Sequence, residues 1–173
     1  TWAVVMGPWS LVSSQLRNTA SQSLPLIGLP ATNNVLATSL MPSHDRRQTT
    51  DNGQLTTGAS VREACRSARW TAPTCGIADG FAQANLVVLP KALAFDFLLF
   101  CKRNPKPCPL LDVTEPGDPV PLHVAPGADL RTDLPRYRVW RDGELVDEPT
   151  DIARYWQDDF VSFALGCSFS FEQ

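Results

Sequence analysis

Arginine ends in a planar fork of N–H donors that can hold a carboxylate at two points, and three arginines of this chain could grip a small anion in that way. Arg131, within Asp129-Leu130-Arg131-Thr132-Asp133, is the first choice, followed by Arg138 and Arg103. An arginine between two acids also suits an ordinary surface ion pair, and both readings stand. Acid–base work needs a carboxyl group within reach of a substrate proton; the candidates are Asp118, Asp133 and Glu172, with Asp129 beside them. Asp118 falls in Glu115-Pro116-Gly117-Asp118-Pro119, where a carboxylate can instead cap the N–H groups of a turn. The segment from Gly166 to Glu172 brings Cys167, Ser168, Ser170 and Glu172 close together, enough hydroxyls and backbone amides to face an anion. A thiol nucleophile at Cys167 is conceivable, but the segment holds no histidine to activate it, so anion binding is the preferred reading. Gln83 and Asn85 are neutral amides beside an apolar run, able to bind a substrate carboxylate or amine, or to pin a loop. Asp96, flanked by Phe95 and Phe97, lies either in an apolar setting that raises its pKa or on the wet strip of a helix.

The elements that must position these groups begin near residue 60. Residues 1–60 are rich in Ser, Thr, Asn, Gln and Pro, carry no acid before Asp45, and show no sustained period, so they read as a poorly ordered arm. Val61, Ala64, Cys65 and Ala68 follow helical spacing up to Trp70, and Pro73 stops that helix. Asn85 to Leu89 suits a buried strand, and Pro90 suits the first turn of a helix from Lys91 to Arg103. That helix is apolar on nearly every side, which predicts burial, and it ends in cations that favour the negative end of its dipole. Seven prolines between Asn104 and Gly127 forbid a continuous helix and predict extended chain and turns over the surface. Tyr137 to Trp140, the turn at Arg141 to Glu144, and Leu145 to Val146 make a hairpin. Ile152, Trp156, Phe160 and Ala164 recur every fourth residue, which predicts an amphipathic helix from Asp151 to Leu165 closed by Gly166.

Composition narrows the function. The chain has 173 residues, 43% hydrophobic and 19% charged, enough apolar surface for one core. A net charge of −3 leaves no basic face for a phosphate backbone, so nucleic acid is not an expected partner. The longest apolar run, Leu93 to Cys101, is broken by Asp96 and is far shorter than the roughly 20 residues of a membrane span. No membrane partner is expected. Five cysteines, an odd set without a CxxC pair, fit reduced thiols in a cytoplasmic setting or, alternatively, a mitochondrial matrix. With only His44 and His123 to join them, no metal site is expected.

Three segments together resemble one known family. Gly80 to Pro119 (GFAQANLVVLPKALAFDFLLFCKRNPKPCPLLDVTEPGDP), Ala128 to Val146 (ADLRTDLPRYRVWRDGELV) and Asp158 to Glu172 (DDFVSFALGCSFSFE) are similar, in unbroken order, to the D-glutamate cyclase family. Val61 to Asp79 resembles the helix and turn that open the family's domain, whereas residues 1–60 resemble nothing in it. The resemblance implies an α/β fold: a mixed-sheet domain with a smaller α/β lobe, C-terminally truncated here, since the family continues past the position of Gln173. It also implies a hydro-lyase that joins the α-amine of D-glutamate to its γ-carboxyl group, expels water and gives 5-oxo-D-proline. Such an enzyme needs no cofactor; its partner is a small dicarboxylic amino acid, with homo-oligomerisation left open. The alternative is a catalytically silent piece of the same fold that binds a small acid or regulates.

Overall fold

The computed structural model describes residues 2–5, 11–17, 55–78 and 80–166. In chain order the elements are β1 (Trp2–Val5), β2 (Leu11–Arg17), α1 (Gly58–Arg66), β3 (Phe81–Pro90), α2 (Lys91–Arg103), β4 (Leu110–Val113), β5 (Arg138–Arg141), β6 (Glu144–Asp147) and β7 (Phe160–Gly166). The strands form one seven-stranded sheet in the order β4-β7-β3-β1-β5-β6, with β2 paired to β3 beside β1. The content is α/β as expected, but the expected mixed sheet is corrected, because every described pairing is antiparallel.

Two strands arise within residues 1–60, where the sequence showed no period and a poorly ordered arm was expected. β1 bridges β3 and β5, with Val4 opposite Val88 on one side and Val139 on the other. A four-residue strand holds too few positions to show alternation, and its conformation is set by the ladder bonds its neighbours offer.

β3 is the axis of the sheet. Its residues 84, 86 and 88 are buried while 83, 85, 87 and 89 are only partly so, which is the period-two signature of a strand with one finished face. On the finished face Leu86, Val88, Phe160 and Ala164 pack against Val124, Ala125, Ala128, Leu130, Leu134, Tyr137 and Ile152. The proline-dense stretch therefore does more than wrap the surface. It supplies β4 and then part of the core itself. Asp112 on β4 holds the stretch in place, since its carboxylate accepts from the backbone N–H groups of Val113, His123 and Val124 at 3.0, 2.7 and 3.0 Å. Gly117 is required where it is: φ is +81° and a Cβ there would lie 2.6 Å from the carbonyl oxygen of Asp158.

α1 starts with a reciprocal cap, Thr57 Oγ1 accepting from Ser60 N at 3.1 Å and Ser60 Oγ from Thr57 N at 3.1 Å. It packs Val61 and Cys65 against Ala78 in a second, smaller cluster. The expected hairpin is β5–β6, closed by Asp142 and Gly143 at φ +51° and +88°, the left-handed pair that a two-residue turn demands.

Two helical expectations are corrected. Asp151 to Leu165 is not a helix: Ala153–Tyr155 makes one 3-10 turn and Phe160–Gly166 is β7. A repeat of four is also a multiple of two, so Phe160 and Ala164 share a strand face as readily as a helix face, and the stripe could not separate the two. α2 exists with the expected bounds, yet it is not buried. Only Cys101 is enclosed, while Leu93, Phe95, Leu98 and Phe100 are 42, 72, 37 and 52% exposed. The helix touches the sheet along one line, where Phe97 meets Phe163 edge-on at 4.9 Å between ring centres. Among the described residues no second layer lies over it.

Candidate functional site

The loop between the finished face and α1 gathers most of the charged candidates. Arg131 folds back on Asp129: its backbone N and its Nε donate to Oδ1 at 2.9 Å, and its second terminal nitrogen donates to Oδ2 at 2.8 Å. The bidentate fork expected for a substrate is therefore present in geometry, with a carboxylate of the same chain in it. Burial alone would raise the Asp129 pKa, but the hydrogen bonds and charge of Arg131 win and hold it below the usual carboxylate value. Both side chains are about a third exposed, so the pair can open to water or to another anion.

Asp133, two residues on, faces the other way. Its side chain is fully buried, and its oxygens accept from Arg66 Nε and terminal nitrogen at 2.8 and 2.7 Å, from Asp129 N at 3.0 Å and from Thr132 Oγ1 at 3.1 Å. Arg62, itself buried, lies 4.0 Å away. The catalytic reading of Asp133 meets a carboxylate already committed to tying α1 to this loop. Burial pushes the neighbouring Cys65 thiol up to about 12, with the Asp133 charge adding to it, so this thiol stays protonated and unreactive.

Asp118 lies in the adjoining turn, because Pro119 O accepts from Leu130 N at 2.9 Å. Its Oδ1 accepts from Val120 N at 2.8 Å, the turn-capping role weighed for it from sequence. Arg138 pairs with Glu148 at 2.9 Å on β5, and Arg103 sits exposed at the end of α2. Gln83 donates from Nε2 to the carbonyl of Thr74, which pins the 74–78 loop. Asn85 belongs to the unfinished face of β3, opposite Leu165, whereas the Arg131 loop covers the finished one. Arg131, Asp129, Asp133 and Asp118 are thus brought together, and Arg138, Arg103, Gln83 and Asn85 are not. Cys167, Ser168, Ser170 and Glu172 lie outside the described residues.

Next to Arg131 the surface forms an open concavity of about 560 Å³, lined by Pro149, Thr150, Asp151, Ala153 and Arg154. Ile152 N donates to Arg131 O at 3.0 Å and binds the two segments edge to edge. The Asp151 charge reaches the Arg131 guanidinium, whose pKa is raised first by Asp129 and then by this second acid. On the far side Arg154 donates to Asp147 and to Tyr155 Oη, and Tyr155 donates to Asp147 at 2.7 Å. Those two donors hold the Asp147 carboxyl below its ordinary value. Arg154 and the Asp151 carboxylate thus line the concavity, and the Arg131 backbone is joined to its edge through Ile152. This charge pattern matches a molecule that carries both carboxylate and ammonium groups.

Asp151 and Arg154 were not singled out from sequence. They fell within the expected helix from Asp151 to Leu165 without a role of their own; the signal available was Asp151 as a turn cap, which it is, accepting from Ala153 N at 2.7 Å. A second open concavity of about 490 Å³ is lined, among the described residues, by the uncharged Leu55, Thr56, Gly76, Ile77 and Ala78. Among the described residues no group of three His, Cys, Asp or Glu side chains could hold a metal, and Cys65, Cys75, Cys101 and Cys108 are free thiols. No helix of the described residues is long and apolar enough to cross a membrane.

With this geometry in place, comparison with known proteins gives a consistent result. A protein of Geobacillus kaustophilus named putative hydro-lyase is 66% identical over 112 residues, which is 65% of this chain and 43% of that protein. The Bacillus subtilis protein of the same name is 63% identical over 113 residues, 65% of this chain and 44% of its own length. One from Azorhizobium caulinodans is 53% identical over 133 residues, 77% of this chain and 49% of its own. No family model matches the chain. Over the matched stretch the chain is similar to proteins named putative hydro-lyase. It spans slightly less than half the length of the curated relatives it matches.

Proposed function

We propose that this chain carries part of a hydro-lyase site for a small dicarboxylic amino acid, with D-glutamate as substrate and 5-oxo-D-proline and water as products. The observation that carries the proposal is the 66% identity, over 112 residues, to a protein named putative hydro-lyase. The charge pattern around Arg131 supports it. Ring closure joins the α-amine nitrogen to the γ-carboxyl carbon; two protons leave the ammonium and two reach the departing oxygen, which leaves as water. Holding nitrogen against carbon supplies much of the acceleration, as intramolecular geometry replaces an encounter.

In this scheme the substrate α-carboxylate takes the Arg131 fork by displacing Asp129. Exchanging one carboxylate for another on a partly exposed guanidinium costs little, because the bidentate geometry is kept and the released acid returns to water. Asp151 and Asp118 are the groups to face the ammonium and relay its protons. A second reading is favoured by one observation: Arg131 and Arg154 are each paired with a carboxylate of the same chain, as in a module that binds or signals without turnover.

The test incubates the purified chain with D-glutamate, and separately the whole Geobacillus kaustophilus relative, and follows 5-oxoproline by chromatography. Turnover by the chain that falls at least tenfold in Arg131→Gln supports the enzymatic reading. Saturable binding of D-glutamate by the chain without product supports the second. Absence of both from the chain and the relative overturns the substrate.

A further inference from the structure

We infer that the outer surface of α2 is the seat of a further layer of the family's fold, formed by the part of the relatives' length that has no counterpart in this chain. The inference rests on packing and on the shared ancestry of the matched stretch, and is independent of the hydro-lyase chemistry. α2 has a single acid, Asp96, between its first and last turns, and its other positions there are apolar. A helix of that composition gains most when its apolar sides are covered by a neighbour.

The pattern of exposure says what kind of cover fits. Phe97 and Cys101 mark the line that faces the sheet. At about 100° per residue, Leu93 and Phe100 fall on one flank, while Phe95 and Leu98 fall round the opposite side. All four are exposed. A two-fold contact with a second copy would cover one stripe and leave the other wet. Apolar side chains distributed on both flanks call instead for a layer that wraps the helix, as neighbouring elements do inside a domain. The unfinished face of β3, with Val87 and Leu89 only partly buried, runs on from the same region and extends the seat. The relatives supply the material, since 43% of the Geobacillus kaustophilus protein matches here and more than half of it does not.

The test expresses that unmatched portion of the Geobacillus kaustophilus protein separately, mixes it with this chain, and reads backbone hydrogen exchange across Lys91 to Arg103. A fusion of the two is measured alongside, so that a separate portion that fails to fold does not decide the result. The expected outcome is protection of the α2 amides by at least about tenfold on mixing or fusion, together with loss of the bound dye that reports exposed apolar surface. Phe95→Asp with Leu98→Asp should abolish both changes while the circular dichroism of the isolated chain stays the same. Unchanged α2 exchange in the mixture and in the fusion would overturn the inference. So would a dimer of this chain in sedimentation that protects α2 by itself and is dissolved by the same double substitution.

Discussion

The two faces of the central sheet differ more than any other pair of regions in this molecule. On one face β3 and β7 lie under a loop-built core in which Leu86, Val88, Leu134, Tyr137 and Phe160 are buried, and even the Tyr137 hydroxyl has a partner in Leu134 N. On the other, a single helix rests on Phe163 and leaves four large apolar side chains in solvent. The finished face shows that irregular chain can build a core where buried carboxylates satisfy its backbone. Asp112 does this for the proline-dense stretch and Asp133 for the Arg131 loop. The open face shows that a helix can be placed correctly by a strand, a proline and one ring contact while its burial waits on something else.

The contrast can be broken or sharpened by substitution. Phe160→Ala, on the finished face, should destabilise the chain by about 3–5 kcal/mol in urea unfolding, through lost burial and the cavity left behind. Asp133→Asn should cost about 2–3 kcal/mol, below the range for a fully buried pair because Arg66 is half exposed; it should also weaken protection of the α1 amides. A smaller effect is expected on acidification. The Asp129 carboxyl is depressed in the folded chain, so its stabilisation is present above the ordinary value near 3.8 and is lost as the pH falls through its lower folded value. Urea midpoints at pH 6 and pH 3 should therefore differ less in Arg131→Gln than in the parent. On the alkaline side, Cys65 acts in the opposite sense: its pKa is raised from 9.0 to about 12, so stability is full below pH 9 and falls as the pH rises toward 12. Smallest of all, Phe95→Ala on the open face should change the stability of the chain by no more than about 0.5 kcal/mol.

Much of this architecture was legible in the residues. Pro90 and the terminal cations located α2, Asp142-Gly143 located the hairpin, and the valines of β3 located the central strand. What was missed has physical reasons. β7 hid behind a four-residue stripe that fits a helix and a strand alike, and β1 was too short to show any period. Burial of α2 was expected from its composition, which records what a helix requires and not what stands next to it. Of the candidate site, the Arg131 loop and the Asp118 turn are neighbours, joined by the bond from Leu130 N to Pro119 O. Asn85 was separated from them by strand alternation, and Arg138 by its pairing with Glu148. Arg154 reaches the concavity on a 3-10 turn whose first N–H Asp151 accepts, and no periodicity marks a turn of three residues.

Backbone hydrogen exchange of the chain on its own tests the contrast between the faces most directly. The account predicts that amides of β3 and β7, closed under the loop core, exchange at least about a hundredfold more slowly than those of Leu93 to Phe100. Equal protection of the helix and the two strands would contradict it.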